Sequence, residues 1–436
     1  MTGQVDLKTV FEHYQRTQWF AEREIENYQA VLLTQLVRHS YDTVPFYRER
    51  LKPLVTRRGN IDLTHWNKVP ILERDELQLH GLDLISRAIP PDHGKLYKVS
   101  TSGSTTGKSV SVTATEHAAK VRTAVLWRTD TWHNIDWSKQ FGAAKLRRPG
   151  AALWPDGGRD LSPWGPTWLT TNGPPGIFIA GHTPIDKLAE WIGRNHVRYF
   201  AALPLTLAAL AEEPAARHLP IEAFISFGMR VKPEHRTVVR DTFGAGIVEL
   251  YGSEDCGPMA SGCEAGSLHV MSELVRLEIV DDNGDPCPLG TAGRVLITVL
   301  HNAAQPLIRY AVGDVASFGP PCSCGRALPV IESIPGRQRD LFRRPDGSRF
   351  VAHTIAGLFP AHTGVKWWQI AQTGPDNVEV RVIAPALFGA ADRTHVAVTL
   401  REAWNWNCQI NFKQLKGIPY GPGRKQSDFV NECRSS

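Results

Sequence analysis

Apolar residues change their spacing several times along this chain, and each change predicts a different element. Over residues 8–51 they recur at helical intervals, with Val31, Leu32, Leu36 and Val37 on one face, and Pro45 ends the pattern. Residues 95–99 and the run Ser109-Val110-Ser111-Val112-Thr113-Ala114-Thr115 alternate with period two, so they read as two strands around a polar loop. The middle of the chain then alternates between types. Ile185–Asn195, Leu205–Glu212 and Glu234–Phe243 have helical patterns, while Tyr199–Leu203, Phe224–Phe227 and Ile247–Leu250 read as strands, the last delivering Tyr251 at its carboxyl end. Strand–helix–strand succession implies a parallel sheet covered by helices, with ligands beyond the strand carboxyl ends.

From Leu274 the pattern changes to antiparallel hairpins, with Asp282-Asn283-Gly284-Asp285 as the turn between Arg276–Val280 and Gly293–Val299. Beyond Asp340 come strands near Trp367–Gln372 and Val378–Val382, a helix near Arg393–Trp404 and a last strand near Cys408–Phe412. The expected fold is therefore α/β. Residues 1–340 make a large domain of helix-covered parallel sheet plus antiparallel hairpins, and residues 341–436 make a small α+β domain.

A chain of 436 residues exceeds the size at which one core stops growing, which agrees with two domains. No run of 18 apolar residues occurs and the first residues lack a signal pattern, so a cytoplasmic protein without a membrane span is expected. The formal charge of +5 comes from 49 basic and 44 acidic residues without like-charge blocks, which gives no support to nucleic-acid binding. Seven cysteines, an odd number, argue against a disulfide framework. Cys263, His269, Cys322 and Cys324 together offer three thiolates and an imidazole, the ligand set of a closed structural zinc site; buried free cysteines and a surface histidine are the alternative.

The polar loop between the two early strands carries the densest chemistry. Ser100 to Lys108 read Ser-Thr-Ser-Gly-Ser-Thr-Thr-Gly-Lys, offering hydroxyls and unhindered N–H groups to phosphate oxygens. A P-loop needs four residues between its first glycine and Gly-Lys, and a helix afterwards. Here Gly103 and Gly107 enclose only Ser104, Thr105 and Thr106, and a strand follows, so the segment is expected to be a hairpin loop that opens and closes on phosphate.

Together with Tyr251-Gly252-Ser253-Glu254, Arg309-Tyr310-Ala311-Val312-Gly313-Asp314 and Gly336-Arg337-Gln338-Arg339-Asp340, this loop resembles the motifs of the acyl-adenylate-forming (ANL) superfamily, in its phenylacetate–coenzyme A ligase-like branch. The amino-terminal Val44-Pro45-Phe46-Tyr47 also resembles how that branch begins. The resemblance implies ATP-dependent activation of a carboxylic acid, because adenylation turns a poor acyl donor into one with a good leaving group. Residues Ser102, Gly103, Ser104, Thr105, Thr106 and Gly107 with Lys108 and Mg²⁺ would hold the triphosphate. Glu254 would help hold Mg²⁺, Tyr251 and Gly252 would lie against adenine, Asp314 would accept from the ribose hydroxyls and Arg337 would contact the nucleotide. Lys425, in Pro422-Gly423-Arg424-Lys425, would assist adenylation and Asp340 would be the hinge of a mobile small domain. Some members of the branch hold zinc on a set matching Cys263, His269, Cys322 and Cys324.

Two departures from the pattern bear on this reading. Arg424 stands where the family usually has glycine, and Ser226-Phe227-Gly228-Met229-Arg230 replaces two small residues and a glutamate. Trp127, Trp132 and Trp137 are expected to line the acid cavity, and an aromatic acid is expected by analogy with phenylacetate. Coenzyme A is the expected acceptor. An amine or a carrier-protein thiol is the alternative, as is a zinc-containing binding protein with a decayed site, and a homodimer is compatible with all of these.

Overall fold

The computed structural model describes residues 6–100, 110–133, 135, 151–154, 177–180, 185–194, 198–337, 342–350, 352, 358–384, 388–417 and 428–433. Helices longer than two turns are numbered in chain order. The amino-terminal stretch forms two helices, α1 (Leu7–Thr17) and α2 (Glu22–Thr43), instead of one continuous pattern. Local side-chain hydrogen bonds compete with helix continuation at the break. Gln18 Nε2 donates to the Gln15 carbonyl at 2.8 Å, and the Ala21 N–H donates to Glu24 Oε2 at 2.8 Å, which restarts the helix.

The strands flanking the polar loop are β1 (Leu96–Ser100) and β2 (Ser111–Thr115), paired antiparallel from Leu96↔Thr115 to Ser100↔Ser111. This is the expected hairpin. Thr113 anchors it, its N–H donating to Gln305 Oε1 at 2.8 Å and its carbonyl accepting from Asn302 Nδ2 at 2.9 Å. Thr115 then caps α3 (Glu116–Thr131), its hydroxyl accepting the Ala118 N–H.

The parallel strands are β3 (Ala151–Trp154), β4 (Ile177–Ala180), β5 (Tyr199–Ala202), β6 (Ala223–Phe227) and β7 (Gly246–Ser253). Among them run α4 (Ile185–Arg194), α5 (Pro204–Glu212) and α6 (Pro233–Phe243), as the alternating pattern requires. Every residue of β5 is buried, the mark of a strand covered on both faces. Leu188, Ile192, Phe200, Leu207, Leu210, Phe224, Val239 and Ile247 form the core on one face. Antiparallel strands continue the sheet: β8 (Gly257–Gly262), β9 (Leu268–Val270), β10 (Val275–Val280), β11 (Gly293–Val299), β12 (Tyr310–Gly319) and β13 (Val330–Arg337). The order is β10-β11-β12-β13-β9-β8-β7-β6-β5-β3-β4.

The chain divides into two compact units, Met1–Val312 with Ser317–Ser333, and Gly313–Ala316 with Ile334–Ser436. In the second unit β14 (Phe342–Arg343) pairs with β15 (Arg349–Phe350). Its main sheet contains β16 (Trp367–Gly374), β17 (Asn377–Ile383), β18 (Gln409–Gln414) and β19 (Phe429–Asn431) in the order β18-β17-β16-β19. Helix α7 (Ala390–Trp404) contributes Val396, Leu400 and Trp404 to a core with Phe342, Ile370, Val380 and Phe429. Strand β19 lies beyond the expected last strand at Cys408–Phe412; three residues are too few to show a period in sequence. No described helix is long and apolar enough to cross a membrane.

Candidate functional site

The rim of the sheet at β7 and β8 differs from expectation in one detail. Tyr251 lies inside β7, paired with Ala260 of β8, because the antiparallel return strand prolongs the ladder to Ser253. The register shifts between Tyr251 and Gly252, and a Cβ at Gly252 would lie 2.5 Å from the Gly257 carbonyl oxygen. Only glycine fits this close approach. Glu254 is exposed in the turn that follows. Its neighbour Asp255 is buried and was not foreseen: Tyr310 donates its hydroxyl to Asp255 Oδ2 at 3.0 Å, and Arg74 Nη1 lies 3.9 Å from the same oxygen. Burial, with the Asp255 charge beside it, holds the Tyr310 hydroxyl well above the ordinary phenol range, so it stays protonated and donating.

In the segment Arg309 to Asp314, the first two residues are structural. Arg309 is buried with φ 48° and donates to the carbonyls of Asn67 at 2.9 Å, Val69 at 2.8 Å and Gly284 at 3.0 Å. Asp314 lies on β12 and Arg337 ends β13; both group with the second unit, whereas Tyr251, Gly252 and Glu254 group with the first. Ser102, Gly103, Ser104, Thr105, Thr106, Gly107, Lys108, Trp137, Asp340, Arg424 and Lys425 lie outside the described residues.

At the end of β6 the replaced pattern has a structural partner. Arg230 Nη1 lies 3.0 Å from Glu249 Oε1, Arg236 Nη2 lies 2.6 Å from Oε2, and the Val231 N–H donates to Oε1 at 3.1 Å. Glu249 is buried on β7, so the arginine at 230 answers an acid of the neighbouring strand.

The four cysteine and histidine candidates do come together. Cys263 follows β8 in a tight turn, its N–H donating to the Ser267 carbonyl at 2.8 Å and Gly266 taking φ +87°. Strand β9 places His269, and the loop between β12 and β13 supplies Cys322 and Cys324. All four ligand atoms lie within 4.8 Å of one another. Cys263 Sγ is 3.7 Å from Cys322 Sγ, and Cys324 Sγ is 3.3 Å from His269 Nε2. Bonds of about 2.3 Å from a tetrahedral zinc to two sulfurs put those sulfurs about 3.8 Å apart. The spacing found matches that arrangement.

Hydrogen bonds around the cluster orient its members. His269 Nδ1–H donates to the Leu328 carbonyl at 2.9 Å, which leaves Nε2 with its lone pair toward the sulfurs. Burial holds this imidazole below its usual range and so neutral. Burial also pushes the Cys263 thiol up to about 12. At Cys322 burial opposes ionisation, but hydrogen bonds from Ser267 and the Cys324 N–H outweigh it and the thiol is lowered. Three sulfurs and one imidazole nitrogen converging in this way are the donor set of a closed structural zinc site.

Two of the three tryptophans of the sequence pattern, Trp127 and Trp132, are buried. Trp127 packs edge-on against Phe11 of α1, with ring centroids 6.3 Å apart. Trp132 lies beside the cluster, its ring centroid 5.9 Å from that of His269.

No family model matches the chain. Its sequence is similar to a phenylacetate–coenzyme A ligase of Thermus thermophilus, 28% identical over 331 residues that cover 71% of this chain and 69% of the relative. Its fold is similar to that of a 2-hydroxyisobutyryl-CoA ligase in complex with 2-HIB-AMP, with a TM-score of 0.69 at 16% identity over 96% of this chain and 92% of that one. The amide bond synthetase McbA from Marinactinospora thermotolerans is similar as well, with a TM-score of 0.51 at 18% identity over 74% and 67% of the two chains.

Proposed function

We propose that this chain, which belongs to the acyl-adenylate-forming superfamily, activates a carboxylic acid with ATP as an acyl-adenylate and transfers the acyl group to coenzyme A. The observation that supports this most is the antiparallel pairing of Leu96–Ser100 with Ser111–Thr115, anchored through Thr113, the two strands that flank the serine-, threonine- and glycine-rich segment in sequence. A P-loop would pass from a strand into a helix there, so the hairpin favours the adenylating class, which releases AMP, over phosphoryl transfer from ATP that leaves ADP.

The residue roles follow from charge. The acid and the α-phosphate are both anionic, so their meeting requires positive charge and N–H dipoles directed at the reacting oxygens. Ser102 to Gly107 and Lys108 receive the triphosphate, and Lys425 bridges carboxylate and phosphate as charge moves between them. Asp314, as an ionised carboxylate, accepts from the ribose hydroxyls, and Arg337 meets the nucleotide. Tyr251 and Gly252 border the adenine, and Asp340 is the pivot of the small domain. Magnesium, when bound, neutralises phosphate charge. The single exposed carboxylate of Glu254 suits an ion that takes one or two protein carboxylates and completes its shell with water and phosphate oxygens. Zinc, when bound, closes the loops carrying Cys263, His269, Cys322 and Cys324, and all four positions being filled by protein leaves it structural.

An aromatic acid is the proposed substrate, by analogy with the phenylacetate of the Thermus relative. An amine acceptor is the second reading, favoured by the likeness to an amide bond synthetase. Exchange of labelled pyrophosphate into ATP across a panel of acids tests the first half-reaction, and a folded protein silent on the whole panel would refute adenylation. Product analysis with coenzyme A present tests the second, since pyrophosphate release without a thioester would redirect the acyl group to another nucleophile.

A further inference from the structure

We propose that zinc in the Cys263, His269, Cys322 and Cys324 cluster latches the corner between α1 and α2 through Arg326 and Gln18, so that metal occupancy sets the order of the amino-terminal helices. The inference rests on the zinc reading above and is independent of the adenylation chemistry. Arg326 stands two residues after Cys324 and is buried. Its Nη1 lies 2.9 Å from both carboxylate oxygens of Glu264, the residue after Cys263. One ion pair thereby ties the Cys324 loop to the Cys263 turn.

The same guanidinium reaches toward the helices. It lies between two indoles, 4.8 Å from the Trp19 ring centroid and 4.4 Å from that of Trp132. Its Nε donates to Gln18 Oε1 at 3.2 Å, and Trp132 Nε1 donates to that oxygen at 2.6 Å. Gln18 caps the carboxyl end of α1, where the chain turns toward α2. His133 Nε2 bonds the carbonyl of Gly262, the residue before Cys263, at 2.8 Å. The two loops that carry the sulfurs are therefore the same two that hold Gln18, Trp19 and the end of α3.

This corner depends on the loops staying together. Arg326 belongs to the Cys324 loop and its acid belongs to the Cys263 turn, so the guanidinium is fixed between the indoles only while the loops are held at one separation. Several thiol groups within 4.8 Å do not supply that hold unaided, whereas a tetrahedral ion bonded to both loops does. Loss of the ion frees Arg326, and Gln18 then loses one of its two donors.

Hydrogen exchange on the full chain tests the latch, comparing zinc-loaded protein with protein stripped by a chelator under reducing conditions. In the wild type, stripping should accelerate exchange in segments 7–25 and 126–133 by about tenfold or more, the range expected for coupled sites. Arg326→Gln should exchange fast in both segments while still holding zinc, and stripping should add little. Trp19→Leu, at a half-exposed position, serves if the first variant folds poorly and should give an intermediate rate with the same non-additivity. Equal acceleration by stripping in wild type and variants, an unresponsive corner in the wild type, or failure to bind zinc would each overturn the latch. Pyrophosphate exchange followed in parallel reports on adenylation alone, so the two failures are told apart.

Discussion

Glu273 and Arg128 form an ion pair with no side-chain exposure on either partner, which makes Glu273→Ala a sharp test of how the larger unit is held. Arg128 Nη1 lies 2.9 Å from Glu273 Oε1, and Thr17 donates its hydroxyl to the same oxygen at 2.8 Å. One carboxylate thus joins α1, α3 and the turn between β9 and β10. At an effective dielectric of about 20 the attraction is roughly 6 kcal/mol, but desolvation of both groups offsets most of it. Removing only the acid leaves the guanidinium buried without its counter-charge, which costs about 4 kcal/mol. For a unit of roughly 330 residues the unfolding entropy converts this to a fall of about 6 °C in the transition temperature. Replacing both partners by apolar residues of similar volume, as in Arg128→Met with Glu273→Leu, should recover most of the loss. Calorimetry resolves the transition of the larger unit. A single substitution costing less than about 1 kcal/mol, or a double as damaging as the single, would refute the reasoning.

Acid should destabilise the base of the hairpin, where His93 and His117 stack with centroids 4.5 Å apart and His301 lies 5.8 Å from His117. Burial, then the neighbouring imidazoles, pushes His117 down to about 4, and burial pushes His301 to about 4, so the unfolded chain binds more protons between that value and 6.5. Stability should therefore be full above pH 6.5 and fall toward pH 4, and His117→Gln should flatten that fall in denaturant titrations at stepped pH. Gly252→Ala should displace the turn bearing Glu254, because its Cβ meets the Gly257 carbonyl at 2.5 Å, and should raise the KM for ATP well before it unfolds the protein. Asp314→Ala should weaken ATP use by removing the ribose acceptor; unchanged pyrophosphate-exchange kinetics would contradict that role. Cys322→Ser should lower bound zinc and thermal stability more than the rate of adenylation, as metal analysis beside calorimetry would show.

How much of this was legible in the sequence depended on whether the signal was local. The hairpin was, since alternation at Ser111–Thr115 fixes a strand by itself, and so were β5, β6 and their helices. The break at Gln18 was not, because it is made by one amide side chain that bonds Trp132, 114 residues away. Composition marked Cys263, His269, Cys322 and Cys324 as a ligand set, and the fold brings them within 4.8 Å. Spacing gave no hint of the surroundings of Trp132, whose neighbours come from the Cys/His loops. Asp255 and Arg326 gave no sequence signal at all, as their significance lies in burial and in partners 55 and 62 residues distant.

Three buried acids of the larger unit share one arrangement. Glu249 meets Arg230 and Arg236, Asp255 meets Tyr310 and Arg74, and Glu273 meets Arg128 and Thr17. Each sits on or just after a strand of the sheet, and its partners come from helices or from elsewhere in the chain. Buried ion pairs add little net stability compared with well-packed apolar residues, so their value here is in fixing which segments lie against the strand ends. An apolar contact tolerates sliding, but a buried carboxylate left without its donors does not. The rim bearing Tyr251 and Glu254 is next to two of these acids, one at Glu249 before it and one at Asp255 after it. Substitution of Arg230 or Arg74 should therefore disturb the placement of that rim without touching it, and the effect should appear in KM for ATP before it appears in global stability.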